Sequence, residues 1–182
     1  MIPEIYGDRM AIIKTVLGKT PHIDSTVFLA ETAAITGEVS MSEHSSAFYG
    51  VSARGDSAPI SVGARSNLQD NVVLHADEGF PCTIGEDVSV GHAAVVHGAT
   101  IGDGALIGMN ATVLNGATVG AGSLVAANSM VAEGMEIPPN SLVAGVPAKV
   151  RRELNAEQVA GLRANADIYV RLASEHLNAE NV

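Results

Sequence analysis

From Ile101 an aliphatic residue returns at every sixth position, as Ile107, Val113, Val119, Val125, Val131, Ile137 and Val143. Four residues after the first five stand small side chains, Ala105, Ala111, Ala117, Ser123 and Ser129. Between them Gly104, Asn110, Gly116, Gly122, Asn128, Gly134 and Asn140 hold one corner of each unit. Glycine and asparagine are the residues that enter the positive-φ region at least cost. The same frame runs upstream through Ile23, Leu29, Ile35, Met41, Ala47 and Ala53, with Val27, Ala33, Val39, Ser45 and Val51 as companions. The period therefore covers about residues 23 to 148.

A helix needs an apolar period near 3.6, and a hairpin sheet does not hold one corner residue in register through many units. A parallel β-helix does both. Each hexad supplies a short strand and a corner, three hexads close a triangular coil, and coils stack about 4.8 Å apart. Ile35, Val113, Val119 and Val125 are expected to point inward. Aromatic residues make up only 3% of the chain, with no Trp, which suits a narrow interior filled by Val, Ile, Leu and Ala. Over 182 residues this reads as a single domain, 1–182, of all-β class.

After Pro147 the pattern changes. Asn155 is an N-cap with Gln158 three residues on, and Val159, Leu162, Ala166, Tyr169, Ala173 and Leu177 follow at helical steps. The spacing predicts a helix over about 155–177 whose one apolar stripe docks along the outside of a prism, its own or a neighbour's.

Lys and Arg number 10 against 20 Asp and Glu, a net charge of -10 that argues against nucleic acid as a partner. Charged residues are only 16% of the chain, which favours an oligomer that hides part of its surface. Cys82 stands alone, so no intrachain disulfide forms. The N-terminus, where Met1 to Arg9 precede the repeat, lacks signal-peptide regions, and no apolar run is long enough for membrane insertion. The expected compartment is the cytoplasm.

The period breaks in three places. Ala53 to Val62 is nine residues and contains Arg54-Gly55-Asp56; Leu74 to Ile84 carries four extra residues; Val96 to Ile101 is five. Histidines flank the last two breaks. His75 follows the inward Leu74 and His97 follows Val96, so their separation of 22 is one 18-residue coil plus the four-residue insertion. They should stand one above the other, ready to converge on a metal. His92, two residues after Val90, lies on the preceding side of the triangle. A threefold oligomer would bring it to His75 and His97 of a neighbour, giving a homotrimer with metal sites at its interfaces. Three imidazoles leave a tetrahedral Zn²⁺ one position for water, and Fe²⁺ or Co²⁺ would accept the same donors.

With these features the chain resembles the gamma-class carbonic anhydrase family of left-handed β-helix, hexapeptide-repeat proteins. The matching segments are Ala53–Asp56, Ser66–Asp70, Val73–His75, Val90–His92, Val96–Gly98, Ile107–Met109 and Gly145–Lys149, within a likeness spanning about residues 12 to 177. The resemblance implies a single-stranded left-handed parallel β-helix with a C-terminal α-helix packed alongside. It implies reversible hydration of CO₂ to bicarbonate by a metal-bound hydroxide, with His75, His92 and His97 as metal ligands. Gln69 would hydrogen-bond the reacting oxygen, and Arg54 would pair with an aspartate across the interface and help place bicarbonate. Asp56, Asn67 and Asp70 would form the supporting network, Tyr169 would stand near the pocket, and Glu78 would export the proton.

Two other functions are compatible with this pattern. Hexapeptide-repeat acyl-CoA transferases share the fold and use a histidine base in a cleft between prisms. Ser57, where some family members carry glutamate, and the short loop after His75 fit a catalytically weak metal-binding accessory subunit.

Overall fold

The computed structural model describes residues 11–179, so the Met1–Arg9 segment lies outside them. Twenty strands wind between Ile12 and Glu153, followed by one helix, Ala156–Leu177. Successive coils pair in parallel, and the fold is a left-handed parallel β-helix with a C-terminal helix. Three flat faces form the prism. The first carries the strands Val73–His75, Val95–His97, Thr112–Val113 and Met130–Val131; the second carries Cys82–Ile84, Thr100–Ile101, Thr118–Val119 and Glu136–Ile137. The third runs from Phe28–Leu29 to Ser141–Gly145 and ends on the antiparallel strand Ala148–Glu153.

The hexad frame predicted from the sequence is the one observed. Ile35, Val113, Val119 and Val125 are fully buried, and so is the rest of the downstream aliphatic column apart from slight exposure at Ile101 and Ile137. All seven corner residues from Gly104 to Asn140 have φ between 54° and 69°. Each fully buried Val or Ile contributes about 1.5–3 kcal/mol, so the axial column is the principal source of cohesion.

Strands begin at Ile12, earlier than the repeat suggests. Ile13 pairs with Ile35 one coil on, but ten residues separate Ile13 from Ile23, because a turn closed by Val16 and Lys19 projects from the corner. The same ten-residue step from Leu74 to Ile84 contains a turn closed by Asp77 and Phe80. Between these coils, Gly37 pairs with Gly55 and Val39 with Ile60, so Asp56 to Pro59 bulge out opposite Glu38 alone. All three protrusions rise from the corner between the first and second faces.

The helix starts on Asn155, whose side chain accepts from the Gln158 backbone while Gln158 reaches back, a complete capping box. It descends its own prism along the third face. Ala166 and Ala173 are buried, and Tyr169 and Leu172 pack with Phe28 and Phe48. Arg65 ties the helix to the prism by pairing with both Asp87 and Asp167. Among the described residues, no helix is long and apolar enough to cross a membrane.

Candidate metal centre

Parallel pairing places His75 directly opposite His97, and Arg54 opposite His75, so Arg54, His75 and His97 climb one corner on successive coils. The bulge brings Asp56 to this column, and the following turn brings Asp77. Nδ1 of His75 lies 2.8 Å from Nε2 of His97. Asp56 Oδ1 is 3.2 Å from His75 Nε2, and the carboxylate accepts from Arg54 Nη1 on both oxygens, at 2.8 Å on Oδ1 and 2.6 Å on Oδ2. The Arg54 guanidinium, aided by His75, holds the Asp56 carboxyl down to about 2.

Hydrogen bonding assigns the ring protons. Ionised Asp56 can only accept, so His75 Nε2 carries a hydrogen, and in the neutral ring Nδ1 is the lone-pair nitrogen. Asn115 Nδ2 donates to Asp77 Oδ2 at 2.9 Å, leaving Asn115 Oδ1 to accept from His97 Nδ1 at 2.7 Å. His97 therefore also turns a lone pair, on Nε2, toward the gap. Asp77 Oδ1 stands 3.9 Å from each of the facing nitrogens. Two imidazole acceptors and a carboxylate converging on one point suit a cation, and His75, Asp77 and His97 offer ligand atoms all within 4.8 Å of one another.

Sequence reasoning missed Asn115 and Asp77. Asn115 lies 18 residues, one coil, after His97, and the repeat arithmetic alone could have found it. Gly98, at φ 57°, belongs to the same construction: a Cβ there would collide with Asn115 Oδ1 and with Phe80, which folds back against the corner. Glu78 is exposed on the turn beside Asp77.

His92 is not in this cluster. It sits at the corner between the third and first faces, paired through Nδ1 with Asp70 Oδ2 at 2.9 Å. Gln69 and Asn67 accompany it: Gln69 backbone N–H donates to Val90 and Gln69 Nε2 donates to Asn67 Oδ1 at 3.1 Å. Tyr169 packs edge-on against Phe48 at 5.4 Å, and burial, with the Asp70 charge nearby, pushes its phenol up. The sequence-derived residues thus fall into two groups on one chain. His75, His97, Arg54, Asp56 and Glu78 hold one corner; His92, Gln69, Asn67 and Asp70, with Tyr169 toward them, hold another. Arg54 finds its aspartate, Asp56, within its own chain.

A family model for bacterial transferase hexapeptides (six repeats) matches residues 81–115 and 98–133. A Methanocaldococcus jannaschii protein named "Probable carbonic anhydrase" is 50% identical over 83% of this chain and 95% of its own. Mitochondrial gamma carbonic anhydrase 3 of Arabidopsis thaliana is 47% identical over 96% of this chain and 70% of its own. The chain spans 64% and 65% of the lengths of the mitochondrial gamma carbonic anhydrases 2 and 1 of the same plant. Among solved structures, a hexapeptide transferase family protein from Anaplasma phagocytophilum superposes with a TM-score of 0.87 at 35% identity, covering 90% of this chain and 97% of that one. Relatives at 47–50% identity over most of this chain, of which it covers 70% or more, establish that the chain belongs to the gamma carbonic anhydrase family.

Proposed function

We propose that this chain is a metal-dependent lyase, a carbonate dehydratase that interconverts CO₂ and bicarbonate. The observation that carries the reading is the pair of opposed imidazole lone pairs, His75 Nδ1 and His97 Nε2, 2.8 Å apart with their other nitrogens engaged by Asp56 and Asn115. Such a pair is joined either by a shared proton or by a metal ion. Family membership and the compact cluster of donors both favour a divalent metal. His75 and His97 would hold it, with His92 of a neighbouring copy as third ligand. A bound Zn²⁺, Fe²⁺ or Co²⁺ would supply the Lewis acidity that makes water nucleophilic near neutral pH.

The division of residues between two corners supports a homotrimer. Each corner carries half of a site: one has two imidazoles and their anchors, the other a third imidazole with the Gln69 amide. Threefold symmetry lets the first corner of each copy meet the second corner of the next, closing three sites. In that arrangement Asp56 and Asn115 fix the two histidine rings, Gln69 hydrogen-bonds the reacting oxygen, and Arg54 attracts the bicarbonate anion. The overall conversion, CO₂ and water to bicarbonate and a proton, leaves one proton to remove, and Glu78 on its exposed turn carries it away. We place the protein in the cytoplasm, a compartment in which the lone Cys82 thiol stays reduced.

Stopped-flow CO₂ hydration on protein of verified metal content tests the reading. Wild type should turn over, and His97→Ala should lose both stoichiometric metal and activity. Equal rates for the two would reject it. Sedimentation should give three times the 18.6 kDa chain, about 56 kDa. The similarity to a hexapeptide transferase family protein motivates a second reading, acyl transfer from acyl-CoA. It requires an unliganded histidine base, and release of CoA thiol by metal-free protein would favour it.

A further inference from the structure

Beneath the helix, the third face buries polar side chains. Asn67 and Ser89 point outward from adjacent strands and are 1% and 0% exposed, in a column that continues through Ser46 to Phe28 below and meets Leu106 above. Buried polar groups are costly unless every one is hydrogen-bonded. Here they form one continuous chain. Asn165 Nδ2, on the helix, donates to Ser89 Oγ at 2.8 Å; Asn67 Nδ2 donates to the same oxygen at 2.9 Å; Gln69 Nε2 donates to Asn67 Oδ1 at 3.1 Å. The Val88 carbonyl, 3.4 Å from Asn67 Nδ2, can only accept and so sets the direction of the Asn67 amide. Ser89 Oγ, held by Asn165, steadies the Asn67 amide, and Asn67 Oδ1 in turn fixes Gln69. Reversing the Gln69 amide would set its oxygen against Asn67 Oδ1, so its N–H stays inward and its carbonyl is the end left to meet a donor in the site.

We infer that Asn165 is a positioning residue: by holding the Ser89 hydroxyl that, together with the Val88 carbonyl, anchors the Asn67 amide, it helps keep the Gln69 side chain in the one orientation that offers its carbonyl oxygen to the reacting group. This rests on the carbonate dehydratase reading above. It makes the docked helix part of the active site, although no residue of the relay beyond Gln69 touches substrate. Apolar side chains at Asn67, Ser89 and Asn165 would dock the helix as well, but only hydrogen bonds transmit an orientation.

The test combines kinetics with a measurement that needs no turnover. In metal-verified protein, Asn165→Leu, which keeps an apolar helix contact but removes the donor, should lower kcat about three- to tenfold and leave KM within about twofold. Asn165→Leu in a Gln69→Ala background should cost nothing more, because the relay then has no end to position. Asp167→Ala loosens the Arg65 tie between helix and prism without touching the relay, and should leave kcat unchanged. Side-chain amide NMR supplies the independent arm: the Gln69 NH₂ signals should exchange slowly in wild type and shift and exchange faster in Asn165→Leu. Unchanged Gln69 signals would overturn the relay, as would losses that multiply in the double variant. An inactive wild type whose Gln69 signals still respond to Asn165→Leu would instead sink the dehydratase reading and leave the relay standing.

Discussion

Nδ1 of His75 and Nε2 of His97 face each other at 2.8 Å, while Asp56 and Asn115 engage the other nitrogen of each ring. In the proposed metal site the two rings are oriented before any metal arrives, because Asp56 and Asn115 already engage their other nitrogens. Asn115 does two things at once, turning His97 by its oxygen and Asp77 by its nitrogen. Asn115→Ala should weaken metal binding by about 10- to 100-fold, the usual cost of removing a group that orients a ligand. Competition against a chelator of known affinity measures this, and unchanged affinity would remove Asn115 from the site.

The Asp56 carboxyl gives the acid limb of stability. Its folded-state value is lowered from 3.8 to about 2, chiefly by the hydrogen bond from Arg54. Between those values the unfolded chain binds more protons than the folded one, so stability rises with pH across the window. The contribution is complete above 3.8 and is lost as pH falls through about 2. Thermal unfolding of metal-free wild type and Asp56→Asn should differ at pH 7, and the gap should close toward pH 2. A gap that persists in acid would mean that the variant acts by something other than charge.

Much of this architecture is legible in the sequence because the interior of the prism repeats. One inward side chain per hexad, one positive-φ corner, and a triangular coil follow from Ile101 to Val143 alone. The separation of His75 and His97 follows from the same arithmetic once four residues are set aside as an insertion. What the repeat does not encode is the content of the insertions. Ile12–Lys14 escaped notice because the Val16–Lys19 turn hides its register, and Asp77 because its turn obeys no period. Ser89 and Asn165 stand 76 residues apart and meet only when the helix descends the third face, a docking that the apolar stripe implies without stating its register.

Cys82 reports on the same packed column. It is fully buried, its Sγ lies 3.8 Å from the Val96 carbonyl, and burial pushes its thiol from 9.0 up to about 12. An acid whose folded value is raised keeps its proton when the unfolded chain has lost it, so stability falls as pH rises from about 9 toward 12. At pH 8 the native thiol should resist iodoacetamide, and its labelling rate should follow global unfolding across a denaturant series. Fast labelling in buffer alone would show that the coil opens locally at this strand.

In the proposed hydration, proton removal depends on the shortest stretch of chain. The Asp77–Phe80 turn projects from the corner that carries His75 and His97, Asp77 is engaged by Asn115, and Glu78 beside it is exposed. A carboxylate on this turn would pass a proton to buffer without any rearrangement of the prism. Its replacement in Glu78→Ala should therefore leave metal content and oligomer mass unchanged and lower kcat in weak buffer. Adding a small imidazole buffer should restore the rate, since a diffusible base substitutes for a missing carrier but not for a damaged site. Solvent deuterium should slow wild type in weak buffer, and the variant more strongly, as proton transfer becomes limiting. An active wild type indifferent to Glu78→Ala under weak buffering would reject this proton path while leaving the histidine centre and the Gln69 amide in their roles.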